Sequence, residues 1–237
     1  MRALLTVIIG VFWAINMGSQ TRELTLAEIW TGTFTPSGLK SIKSMRDGAH
    51  FTILERNDST GAMEINRYAY ATGNKDSVLF DGSNFPAIQG IFAYDFSPDE
   101  RGILIKSQRE GIYRRSYYAQ HYFYDLTSGV IRPVEGNHLQ EVTFSPDGRF
   151  LSFVKDNNLF YQEVQTGKNV QVTVDGRFNE IINGKTDWVY EEEFGFVRAH
   201  QWSSDGQYLA FLRFDETQVP EFSMDVYGKG LYPNQDV

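Results

Sequence analysis

Along most of the chain, short apolar runs alternate with short polar turns, and the same sequence of turn and run comes back four times. Met45-Arg46-Asp47-Gly48-Ala49-His50-Phe51-Thr52-Ile53-Leu54 resembles Phe96-Ser97-Pro98-Asp99-Glu100-Arg101-Gly102-Ile103-Leu104-Ile105. The theme returns as Phe144-Ser145-Pro146-Asp147-Gly148-Arg149-Phe150-Leu151-Ser152-Phe153 and as Trp202-Ser203-Ser204-Asp205-Gly206-Gln207-Tyr208-Leu209-Ala210-Phe211. Measured between Asp47, Asp99, Asp147 and Asp205, the intervals are 52, 48 and 58 residues. Self-similarity at a period near fifty is the mark of a repeat architecture.

Each copy has the chemistry of a tight hairpin: Ser and Asp side chains bond the turn backbone, Pro fixes φ, Gly permits positive φ, and the apolar run makes the next strand. A second turn recurs within each unit as Tyr70-Ala71-Thr72-Gly73, Asp125-Leu126-Thr127-Ser128-Gly129 and Val164-Gln165-Thr166-Gly167. Each unit is therefore about four short strands joined by hairpins, which is a β-propeller blade. An immunoglobulin-like sandwich also has short strands and turns, but it need not repeat one turn sequence at a fixed period. The reading is all-β: part of a β-propeller of roughly three full blades and part of a fourth, counted from residue 40. Residues 227–237 show no closing strand, so the expectation is a chain cut off inside a larger propeller, its last blade left with an unpaired edge. Ahead of the repeats, residues 23–33 carry a modest helical pattern with Leu26, Ile29 and Trp30 on one side.

One stretch breaks the strand pattern. Asp187-Trp188-Val189-Tyr190-Glu191-Glu192-Glu193-Phe194-Gly195-Phe196 sets three consecutive carboxylates among bulky apolar residues, in the longest interval between copies. Adjacent carboxylates repel and want a cation between them. A primary ammonium suits, because two carboxylates can share its three N–H donors and leave one for another acceptor. On a strand, consecutive side chains face opposite ways. On a helical turn they lie about 100° apart and can flank one ligand. The stretch therefore predicts a short inserted helix with Asp187 as N-cap, its Glu run in the first turns where the helix dipole favours anions. The plain alternative is an acidic first turn on a solvated helix.

Composition narrows the partners. Among 237 residues, 13 Tyr, 18 Phe and 4 Trp bring the aromatic content to 15%, which favours β-structure. Lys+Arg 22 against Asp+Glu 30 leaves a net charge of −8, which argues against nucleic acid or an anionic membrane. The Tyr-rich residues 117–124 accordingly read as an aromatic strand and not as a base-stacking platform. Arg2, the apolar run 3–17 and the small polar residues 18–20 read as an export signal. The expected division is thus a signal peptide over 1–19, an N-terminal segment over 20–39 and an incomplete propeller over 40–237. With no Cys, disulfides are excluded, which fits a bacterial periplasmic or secreted domain stabilised by its core. His50, His121, His138 and His200 show no metal-ligand spacing, and no cofactor is expected. No Ser has Gly two residues before it, so the Gly-x-Ser-x-Gly elbow of a hydrolase is missing.

The string Asp-Trp-Val-Tyr-Glu-Glu-Glu at 187–193 resembles the double-glutamate signature of the dipeptidyl peptidase IV family of serine peptidases, whose members remove dipeptides from free N-termini. Ile112-Tyr113-Arg114-Arg115-Ser116-Tyr117 and Phe214-Asp215-Glu216-Thr217-Gln218-Val219-Pro220 resemble two further family stretches, although Arg115 stands where His is expected. The resemblance runs from about residue 40 onward and is closest to bacterial exported members. It implies that Glu192 and Glu193 hold the α-ammonium of a peptide substrate and that Arg114 binds a nearby peptide carbonyl. A guanidinium suits that role, having several fixed donors, and can also pair with the carboxylates. It further implies cleavage after Pro or Ala in the second position by a Ser-Asp-His set in a C-terminal α/β-hydrolase domain that this chain stops short of, so that the chain alone should be inactive, and a homodimer of the full-length protein. The competing expectation is a non-catalytic propeller that captures or senses peptide N-termini.

Overall fold

A computed structural model describes residues 23–36, 38–226 and 234–236. The residues read as an export signal lie outside this set. The chain divides into two compact units, residues 1–40 and 41–237. In the first, helix α1 (Leu26–Trp30) is closed by a reciprocal capping box between Thr25 and Glu28. None of its residues is buried, so the Leu26, Ile29, Trp30 stripe stands exposed. Among the described residues no helix is long and apolar enough to cross a membrane.

The second unit contains three four-stranded antiparallel sheets, each meandering in chain order. The first holds β1 (Ile42–Ser44), β2 (His50–Arg56), β3 (Met63–Ala69) and β4 (Lys75–Asp81). The second holds β5 (Ile91–Phe96), β6 (Gly102–Gly111), β7 (Tyr117–Asp125) and β8 (Ile131–Pro133). The third holds β9 (Gln140–Phe144), β10 (Phe150–Lys155), β11 (Asn158–Glu163) and β12 (Asn169–Gln171). These are propeller blades. The strands that follow pair two by two: β13 (Ile181–Asn183) with β16 (Arg213–Asp215), and β14 (His200–Trp202) with β15 (Leu209–Phe211). A last pair, β17 (Met224–Val226) and β18 (Asn234–Asp236), puts a strand within 227–237, though not a closing one. It forms a hairpin of its own and adds no strand to a blade. Residues 227–233 contain neither Ser nor Asp, the side chains on which the strand reading relied.

The repeated turns behave as their residues dictate. In the second blade the Ser97 hydroxyl donates to Asp99 Oδ1 at 2.6 Å and accepts from the Gly102 N–H at 2.9 Å, while Arg101 N–H donates to Asp99. Ser145 and Asp147 repeat this around Phe150, and Ser203 and Asp205 repeat it around Tyr208. The first copy lacks the Ser, and there Asp47 takes the N–H groups of Ala49 and His50 instead. Where three copies place Gly in the left-handed region, the second has Glu100 at φ 57°. Its carboxylate accepts the Arg46 N–H at 2.8 Å, joining the first turn to the second across the blade boundary.

Apolar packing lies between blades. Ile65 and Phe80 of the first blade meet Ile91, Tyr94, Ile103 and Ile105 of the second. Leu104 of the second meets Leu139, Val142, Leu151 and Phe153 around the third. Trp202 continues the series, stacking on Phe150 at 5.8 Å and donating its indole N–H to the buried Ser152 hydroxyl at 2.9 Å. Each blade thus leans on its neighbour, as expected of a repeat whose single unit cannot bury its own face.

Candidate functional site

Between β13 and β14 the chain leaves the blade and returns to the same place. The two arms of the excursion are zipped by Thr186 N–H to Val197 O at 2.9 Å, Ala199 N–H to Gly184 O at 3.0 Å and a bridge between Lys185 and Arg198. At its tip is helix α2 (Trp188–Phe194), the inserted helix expected from the Glu run. Asp187 caps it, accepting the Tyr190 N–H at 2.8 Å. Gly195 ends it at φ 75°, a left-handed conformation that glycine adopts without a Cβ penalty.

The three carboxylates meet three different environments. Glu191 is buried, with 2% of its surface exposed. Its Oε1 accepts the N–H of Arg115 at 2.6 Å and of Ser116 at 2.9 Å, in the connection between β6 and β7. Burial alone would raise this carboxyl, but the Ser116 hydroxyl and the two backbone donors outweigh it and hold it below the usual glutamate range. Glu192 is partly covered, its side chain 18% exposed, and its Oε2 lies 3.3 Å from Nε of Arg114, whose side chain is 71% exposed. Glu193 is exposed and has no hydrogen-bond or ion-pair partner among the described residues. Arg114 and Glu192 are therefore brought together from segments far apart in sequence, with Glu193 next along the same helix.

The Nη groups of Arg114 make no hydrogen bond to a described residue. One face of the ion pair thus offers planar N–H donors and the other a partly paired carboxylate beside a free one. Such an arrangement can accept a cation and donate to a neutral oxygen a few ångströms away. Lys185, at the foot of the excursion, is pushed below the usual lysine range by burial, against the opposing pull of Glu216, Glu191 and Glu141. A cavity of about 500 Å³ beside the helix is lined by Tyr113, Lys185, Asp187, Trp188, Glu216 and Phe222 among others, but not by Arg114, Glu192 or Glu193.

Arg115 and Glu191 are the residues that sequence reasoning passed over. Arg115 donates from Nη1 to the Glu191 carbonyl at 3.0 Å. Its departure from the expected His and the unexplained third Glu were the only signals available.

The chain thus forms blades of a propeller with a helix-bearing excursion that brings Glu192 to Arg114. The sequence profile described as "Dipeptidyl peptidase IV (DPP IV) N-terminal region" matches residues 97–237. Human prolyl endopeptidase FAP is 32% identical over 222 residues, 90% of this chain and 27% of that protein. A probable dipeptidyl-aminopeptidase B of Podospora anserina is 39% identical over 136 residues, 55% of this chain and 15% of that protein. The crystal structure of Porphyromonas gingivalis dipeptidyl peptidase 4 superposes with a TM-score of 0.79 and 40% identity, covering 91% of this chain and 31% of that one. The chain belongs to the dipeptidyl peptidase IV family, in the N-terminal region of that family, and spans about a third or less of the relatives it matches.

Proposed function

We propose that this chain is the substrate-measuring part of an exported serine exopeptidase that releases Xaa-Pro and Xaa-Ala dipeptides. Glu192 and Glu193 bind the α-ammonium of the substrate, and Arg114 binds the adjacent carbonyl. The observation that supports this reading is the Arg114–Glu192 pair at 3.3 Å, with Glu193, the next residue of the helix, exposed and without a partner among the described residues. Cleavage itself belongs to a Ser-Asp-His set in a hydrolase domain that would follow this region.

In such an enzyme the clamp contributes binding energy from a remote substrate group to fix which bond is presented. Only a chain whose free terminus lies two residues from the scissile bond fits. Alanine at Glu192 or Glu193 in the full-length protein is expected to lower kcat/KM for an Xaa-Pro substrate by at least about 100-fold, equivalent to about 2.7 kcal/mol. Steady-state kinetics with a chromogenic dipeptide substrate measures it, and full activity in either variant removes the assignment.

A further inference from the structure

Resting on the clamp reading, we propose that Glu191 is a positioning residue for Arg114: its buried carboxylate pins residues 112–116 against α2 and so sets where the guanidinium meets Glu192. Of the three consecutive acids it is the one that binds no substrate.

The connection between β6 and β7 is otherwise poorly held. Tyr113, Arg114 and Arg115 are all exposed, so packing does little to fix them. Inside the loop, Ser116 O accepts the Ile112 N–H at 3.0 Å and the Ser116 hydroxyl accepts the Tyr113 N–H at 3.2 Å, which shapes the turn without attaching it to anything. Attachment comes from Glu191, which takes the two consecutive N–H groups that follow Arg114. Arg115 completes the joint from the other side: its Nη1 donates to Glu191 O, and its guanidinium lies against Gly195, where an added Cβ would stand 3.7 Å from Nη2.

Adjacency makes this joint a positioning device. Glu191 and Glu192 are neighbours on a helix, and Arg115 is the neighbour of Arg114. Fixing Glu191 to the Arg115 amide therefore leaves the next pair, Glu192 and Arg114, in register with little freedom to part. A charged acceptor also forms stronger bonds to N–H donors than a neutral one.

Two measurements on this chain test the proposal, and they fail independently of the clamp reading. Hydrogen exchange followed by mass spectrometry reads the joint without any peptide. In E191A the amides of Arg115 and Ser116 are expected to exchange at least tenfold faster, with those of β10 and β11 unchanged. E191Q keeps the shape and one acceptor oxygen, and should restore most of the protection. It also serves if E191A does not fold. Unchanged exchange at both amides overturns the proposal.

Calorimetric titration with the peptide Ala-Pro-Gly-Gly then reads the consequence. E191A is expected to weaken binding at least fivefold when Arg114 is present and less than twofold in an R114A background, because Glu191 acts through that arginine. An equal loss in both backgrounds would mean a merely structural residue. The N-acetylated peptide separates the two readings: if wild type binds it as well as the free amine, the clamp assignment falls while the exchange result still decides the role of Glu191.

Discussion

Lowering the pH from 7 to 5.5 should destabilise the fold through two buried histidines. His200 is 3% exposed; its Nδ1 bonds the Gly184 carbonyl at 2.7 Å, and its Nε2 has no partner among the described residues. Burial pushes it down to about 4, with the Gly184 bond opposing and Arg198 adding to the shift. His121, 2% exposed, is pushed down to about 3, chiefly by burial and then by Lys106. An unfolded histidine titrates near 6.5, so below that pH the unfolded chain takes up protons that the folded one refuses. Stability is fully present above about pH 6.5 and is lost as the pH falls toward the folded values. Between pH 7 and 5.5 the linkage amounts to about 1.2 kcal/mol for each histidine, or about 2.5 kcal/mol for both. Against a typical stability of about 5–15 kcal/mol, that is a large fraction. Urea unfolding followed by tryptophan fluorescence at several pH values gives the slope, and H200Q should remove about half of it. A stability flat across this range, or a slope the same in H200Q as in wild type, would refute the account.

Two further outcomes follow from packing. Phe153 is 1% exposed, stacks on Phe160 of the neighbouring strand at 5.7 Å and belongs to the cluster shared with Leu104 of the second blade, so F153A is expected to cost about 3–5 kcal/mol in urea unfolding. W202F keeps most of the ring contact with Phe150 but removes the donor to the buried Ser152 hydroxyl; the cost should be about 1–3 kcal/mol, read as a lowered unfolding midpoint.

What the sequence determined on its own was everything governed by near neighbours. The Asp of each turn, and the Ser where there is one, find their partners within five residues, as Ser145 and Asp147 do around Phe150, so four similar strings announce four similar hairpins. Asp187 and Gly195 likewise delimit α2 from within, and the helix was legible from Asp187 and the Glu run that follows it. Where that local chemistry is absent, as between β17 and β18, the strands went unread.

The tertiary structure alone decided which glutamate meets which surroundings. Glu191, Glu192 and Glu193 are identical in type and consecutive, but a helix turns each by about 100°, so each differs in burial and in partners. Glu191 is buried because a loop 75 residues earlier in the chain brings two N–H donors to it. Glu192 meets Arg114 for the same reason, and Glu193 is left to solvent. Nothing local distinguishes them. The same holds for His121 and His200 against the other two histidines: only the stacking of one blade on the next determines which imidazoles lose their water.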